Sequence, residues 1–186
     1  ESIRNRFHFL KNGYIIKQQQ IQSDLEVLGE KNILYYSTVD IVAMVFFAMT
    51  GLCFGNKCLV SRSYKDDGIF FLIYLIVVIL FIVKEQIGKW FVIVWLTMWF
   101  AIQFICHEWY TIFNKGFMGT LERKIEYFSG TIQWLQIEGK YIPDVYHAIL
   151  HILILCTLIR TIVYSIKSQK KNRNSGLWNY SQLKTE

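Results

Sequence analysis

The sequence predicts an all-α integral membrane protein of about four transmembrane helices, with amphipathic surface helices beside them. Three observations carry this. Hydrophobic residues fill 53% of the 186 positions and charged residues only 18%, against about 25% charged in soluble domains, and the mean hydropathy is +0.29. The apolar residues come in blocks that approach the roughly 20 residues a helix needs to cross a bilayer core. Lipid offers no partner to free backbone groups, so each block is expected to be helical. This pattern excludes a soluble enzyme domain, a disordered chain and a disulfide-stapled miniprotein.

The elements follow in order. Residues 1–37 form a polar N-terminal segment without the apolar core of a secretory signal. Within it Tyr14–Leu28 reads as an amphipathic helix, with Ile21, Leu25 and Leu28 on one face and Gln18, Gln19 and Gln22 elsewhere. The membrane domain covers residues 38–166. Its spans are expected at about 39–55, opening with Asp40, then 68–83, 90–113 and 142–166, the last containing Arg160. The second is short and calls for thinned bilayer or help from its flanks. Between the third and fourth spans, Leu121, Ile125, Phe128, Ile132 and Leu135 recur at helical spacing. They predict an interfacial helix over about 118–138, kinked at Gly130, with Tyr127, Trp134 and Tyr141 at headgroup level. Residues 167–186 form a basic, then polar, tail.

Charge sets the expected orientation. Lys and Arg number five before the first span, two between the second and third and five after the fourth; the other side holds three and four. The positive-inside rule then places both termini in the matrix or cytoplasm. The net charge of +6 is this flanking charge, dispersed along the chain and without a recognition motif, so no nucleic-acid partner is expected. Ile and Lys are abundant at 26 and 14, and Ala is scarce at 4. That bias suits a very AT-rich gene, as in a mitochondrial genome or a low-GC bacterium. The expected location is accordingly the mitochondrial inner membrane, or alternatively a bacterial plasma membrane.

The residues able to carry chemistry gather at the outer ends of the last two spans. Asp144, His147 and His151 share one face of a helix. If the spans are antiparallel neighbours, His107 and Glu108 meet that face at the same depth. Imidazole and carboxylate so grouped suit zinc, iron or a haem ligand pair, or a hydrogen-bonded polar cluster at a helix contact. Cys53 and Cys58 either form a disulfide, on an oxidising side, or remain two thiols. Cys106 and Cys156 read as small packing residues. Arg160 can snorkel to the inner headgroups or hold a lipid phosphate, so bound phospholipid is expected.

Gln103, then Glu108-Trp109-Tyr110, then His147 and His151, an apolar run and Arg160 follow one another over residues 88–160. In that order they resemble subunit III of the haem–copper oxidases. Here the Glu stands five residues after the Gln and the two His are four apart, where the family has three in each case. The resemblance implies a non-catalytic subunit that binds lipid and supports an oxidase core, with no redox metal of its own.

Three functions stay open on these residues. The first is a non-catalytic subunit of a multi-subunit, respiratory membrane complex, with other subunits and lipids as partners. The second is a small membrane metalloenzyme or haem protein using the His/Glu/Asp cluster. The third is a homo-oligomeric pore.

Overall fold

The computed structural model describes the backbone over Ser2–Leu183, and side chains over 13–173 except at position 66. The elements in order are α1 (Ser2–Thr50), β1 (Leu52–Phe54), β2 (Lys57–Val60), α2 (Tyr64–Val83), α3 (Glu85–Cys106), α4 (Glu108–Phe113), α5 (Leu121–Phe128) and α6 (Val145–Leu183). The chain divides into two compact units. One is Tyr36–Thr161, and the other is drawn from Glu1–Tyr35 and Ile162–Glu186.

Within Tyr36–Thr161, α3 folds back on α2 after the single residue Lys84. The approach is close enough that a Cβ at Gly88 would overlap the backbone of Phe81, so glycine is required there for packing. The rings of Phe70 and Tyr74 lie 6.0 and 5.5 Å from those of Trp95 and Trp99. Two tyrosines fasten other helices. Tyr74 donates to the carbonyl of Thr38 at 3.4 Å, and Tyr146 donates to the carbonyl of Met44 at 3.0 Å. Around these contacts Ile41, Val45, Phe81, Val92, Leu96 and Ile154 are buried. The opposite faces stay apolar. On α2, Ile69, Leu72, Ile76, Ile79 and Ile82 are each more than half exposed. A helix apolar all round is one that meets lipid or protein on its outer side.

Among the described residues, three stretches are long and apolar enough to cross a membrane: Gly13–Thr50, Glu85–Phe113 and Val145–Arg173. The apolar part of the expected second span, Asp67–Val83, is shorter. The span bounds shift as well. The first ends at Thr50, because Gly51 takes a left-handed conformation (φ 77°) and starts a hairpin. The third begins at Glu85 and breaks at His107, and the fourth begins at Val145, after Pro143.

The chain is mostly helical, in keeping with the all-α expectation, and this short hairpin is added to it. β1 pairs antiparallel with β2, turning at Gly55 with φ 60°, and a disulfide joins Cys53 to Cys58. The hairpin also corrects the expected helix over 118–138. That helix covers only Leu121–Phe128. Past it, Cys58 donates to the carbonyl of Gly130 and accepts from the amide of Ile132, at 3.0 and 2.8 Å. Ile132 also accepts from the amide of Val145 at 3.0 Å. The backbone there serves a strand-like pairing, so the helical spacing of Ile132 and Leu135 was coincidental.

The second unit holds the remaining corrections. Tyr14–Leu28 is helical but is no separate surface helix: it is continuous with α1, since neither Pro nor a turn follows it. The expected tail likewise continues α6 as helix to Leu183, while positions 184–186 and the side chains beyond 173 lie outside the described residues. The two segments run antiparallel. Asp24 pairs with Lys171 at 3.0 Å and Glu30 with Lys167 at 2.8 Å, and Leu34 and Tyr164 are buried. Ile21, Leu25 and Leu28 are 46–59% exposed.

Candidate functional site: two histidine–carboxylate pairs beneath an aromatic cap

The site is built where α3 gives way to α4 and where α6 begins. His107 interrupts the helix, so Glu108 starts a new short turn. Tyr110, fully buried on that turn, pins the following loop: it accepts from the amide of Met118 at 2.8 Å and donates to the carbonyl of Gly119 at 2.9 Å. Gly116 lies so close to the Tyr110 ring that no side chain fits. The loop begins at Asn114, the one non-glycine residue with positive φ (53°) among those described.

Asp144 precedes α6 and serves as its N-terminal acceptor. Its Oδ1 takes the amide N–H of His147 at 2.9 Å and the ring Nδ1–H of the same residue at 2.7 Å. A carboxylate only accepts, so Nδ1 of His147 carries a proton. Asp144 is fully buried, and its Oδ2 has no protein partner. One turn on, His151 Nδ1 contacts Glu108 Oε1, and its Nε2 lies 3.2 Å from Gln103 Oε1. His151 is thus held at both nitrogens.

His107 connects the pairs without joining either. Its ring stacks on His147 with centroids 4.2 Å apart, sits 5.3 Å from His151, and its Nδ1 shares a 2.5 Å hydrogen bond with the Tyr141 hydroxyl. All five residues expected from the sequence, His107, Glu108, Asp144, His147 and His151, therefore come together as stacked and hydrogen-bonded pairs. Among the described residues, no three His, Cys, Asp or Glu side chains are arranged to hold a metal ion. Cys53 and Cys58 lie on the hairpin, bonded to each other, and Arg160 is exposed further along α6.

Sequence reasoning missed the lid. Lys124 projects its ammonium over three rings, 4.8 Å from Tyr110, 5.4 Å from Tyr141 and 5.7 Å from Phe128, a cation–π enclosure. Burial pushes its ammonium below the usual lysine range, partly offset by Cys106 and Glu108 nearby. Burial likewise pushes the Tyr141 phenol well above its ordinary value, with Asp144 and Glu108 adding to the effect. The signal for Lys124 was present: it stands three residues after Leu121 and four before Phe128, on the apolar face of α5.

Beside these residues lies a cavity of about 610 Å³. His107, His147, Arg123, Lys124, Asp67 and Asp144 line it together with apolar residues such as Phe70 and Ile102. These features define a mostly helical chain that has, among the described residues, three helices long and apolar enough to cross a membrane, and a polar cluster set against a cavity. No family model, no curated protein and no solved structure matches it.

Proposed function

We propose that the chain is a non-catalytic integral membrane subunit of a multi-subunit complex, supporting assembly through lipid and protein contacts. The observation that carries this is the exposed apolar face of α1 in the second unit. Tyr14, Ile21, Leu25 and Leu28 share that face and are 46–66% exposed, yet Lys17, Asp24, Glu26, Glu30 and Lys31 are interspersed along the same stretch. Five charges in such a short segment do not suit the hydrocarbon core, so that face suits another protein chain.

In this reading α1, α2, α3 and α6 are four spans, with α2 as the short one beside α3. Both termini face the matrix or cytoplasm, and Arg160 meets headgroup phosphate. The respiratory setting rests on the resemblance over residues 88–160. Its residues Gln103, Glu108 and His151 meet at one hydrogen-bonded point, which supports treating them as one unit. A native gel of membrane extract with mass spectrometry tests the proposal. The chain is expected to migrate with several different chains; isolation as a stable, lone homo-oligomer overturns it.

A further inference from the structure

The end of α1 at Thr50 changes the place of Asp40. It is the one charged residue between Lys31 and Lys57. With a span over 39–55 it would stand at the headgroup edge. With the helix ending at Thr50, the apolar stretch is 33–50, and Asp40 lies about 15 Å before its end. That is half of a hydrocarbon core of about 30 Å. Asp40 is exposed and has no ion-pair or hydrogen-bond partner among the described residues. Its face is turned away from the rest of its own unit. Tyr36, Asp40, Ala43 and Phe47 recur at steps of four, three and four, which is one stripe of a helix, and all four are exposed. Ile41, Val45 and Ala48, on the opposite side, are buried. Apart from Asp40 the stripe is aromatic or aliphatic, which does not suit the wall of an aqueous pore.

We propose that this stripe docks a transmembrane helix of a partner subunit, and that the partner's helix carries a Lys or Arg at mid-depth to pair with Asp40. The inference rests on the reading of the chain as a membrane subunit and names the chemistry of one contact. A carboxylate facing hydrocarbon is strongly unfavourable, and ionisable residues inside a membrane pair with one another. A cation suits Asp40 better than a neutral donor, because the two charges attract strongly at low dielectric and leave no net charge in the lipid. Ala43, three residues on, has the small side chain that lets a second backbone approach. Tyr36 and Phe47 flank the pair on either side along the stripe. A second copy docking by the same stripe would set carboxylate against carboxylate, so a different chain is the occupant.

The test uses the full chain in its native membrane, with photo-reactive p-benzoylphenylalanine placed at position 36 or 47. Illumination is expected to give an adduct with one other membrane protein, and the cross-linked peptide is expected to lie in an apolar segment with a central Lys or Arg. Asp40→Asn lowers the adduct yield about tenfold, the loss of a polar contact between helices in lipid, whereas Asp40→Glu keeps most of it. Asp40→Lys abolishes the adduct, and changing the partner's cation to Glu recovers it. The proposal is overturned by adducts with lipid alone, by adducts with a second copy of this chain, by a cross-linked segment without a central Lys or Arg, or by an undiminished yield in Asp40→Asn. The identity of the cross-linked segment decides the matter even if a position-40 variant does not fold. A native gel of the same membranes separates the two readings. Migration with several different chains beside lipid-only adducts sinks the pairing and leaves the subunit reading standing; a lone homo-oligomer sinks both.

Discussion

The two units use their charged side chains in opposite ways. In Tyr36–Thr161 one polar cluster is turned inward: Asp144 is fully buried and His107 and His151 nearly so, and each is tied to a partner, Asp144 within the start of α6 and the two histidines to residues of other segments. In the unit of α1 and α6 termini the charges lie at the surface as simple pairs, Asp24 with Lys171 and Glu30 with Lys167, and the apolar residues are exposed. Buried groups cannot lose a partner without leaving the other one stranded in a poorly solvated place. Surface pairs can, because water replaces what is lost. The first unit is therefore expected to be intolerant of polar substitutions, and the second tolerant of them but sensitive in its contacts with other molecules.

The largest expected effect is at Asp144. Replacing it by Ala strands the His147 amide and ring N–H together, and a loss of about 3 kcal/mol or more is expected in denaturant unfolding of the detergent-solubilised chain. A loss under 1 kcal/mol would place the cluster on the same footing as the surface pairs and erase the contrast. Next comes Gly88→Ala, expected to cost about 2 kcal/mol because the new methyl group meets the Phe81 backbone, which has no rotamer to change. Unchanged melting of that variant shows that α2 and α3 are less closely packed than described.

Removing the disulfide with Cys53→Ser and Cys58→Ser closes no large loop, so a cost of about 2 kcal/mol is expected. Its signature is local. Amide exchange should quicken at Cys58 and Ile132, which the hairpin holds, and stay constant along 14–35. In the second unit, a double-mutant cycle on Glu30 and Lys167 is expected to yield about 0.5 kcal/mol of coupling. The same charge removal should be visible on a native gel as altered association with partner chains. Smallest is the pH effect of Lys124. Its folded-state pKa is depressed, so between that value and the ordinary 10.5 the unfolded chain keeps a proton the folded chain has released. Stability from this group therefore rises with pH through that window. The melting temperature of the native chain minus that of Lys124→Met, followed across alkaline pH, should rise in step.

What the sequence made legible follows how local each signal was. Apolar blocks show membrane-length helices because hydrocarbon thickness sets a long, continuous pattern. Asp144, His147 and His151 were readable as one face because three- and four-residue steps determine it within a single helix. The hairpin was not readable: three- and four-residue strands carry too little alternation, and they are held by a disulfide and by residues 130–132, more than 70 positions away. That same distant pairing ended α5 early and broke a stripe that looked helical over fifteen residues. Lys124 was overlooked for a related reason. A lysine on an apolar face reads as an exposed flank until Tyr110 and Tyr141, from two other segments, are seen to surround it.

The Cys53–Cys58 bond has a consequence for biogenesis. Newly made chains carry two thiols at the hairpin, and they acquire the bond only where oxidants reach that loop. A thiol-reactive mass tag applied to intact and to opened membranes therefore reads both the age of each chain and the compartment its hairpin occupies. Cys106 and Cys156, free in the structure, serve as the internal reference for counting tags.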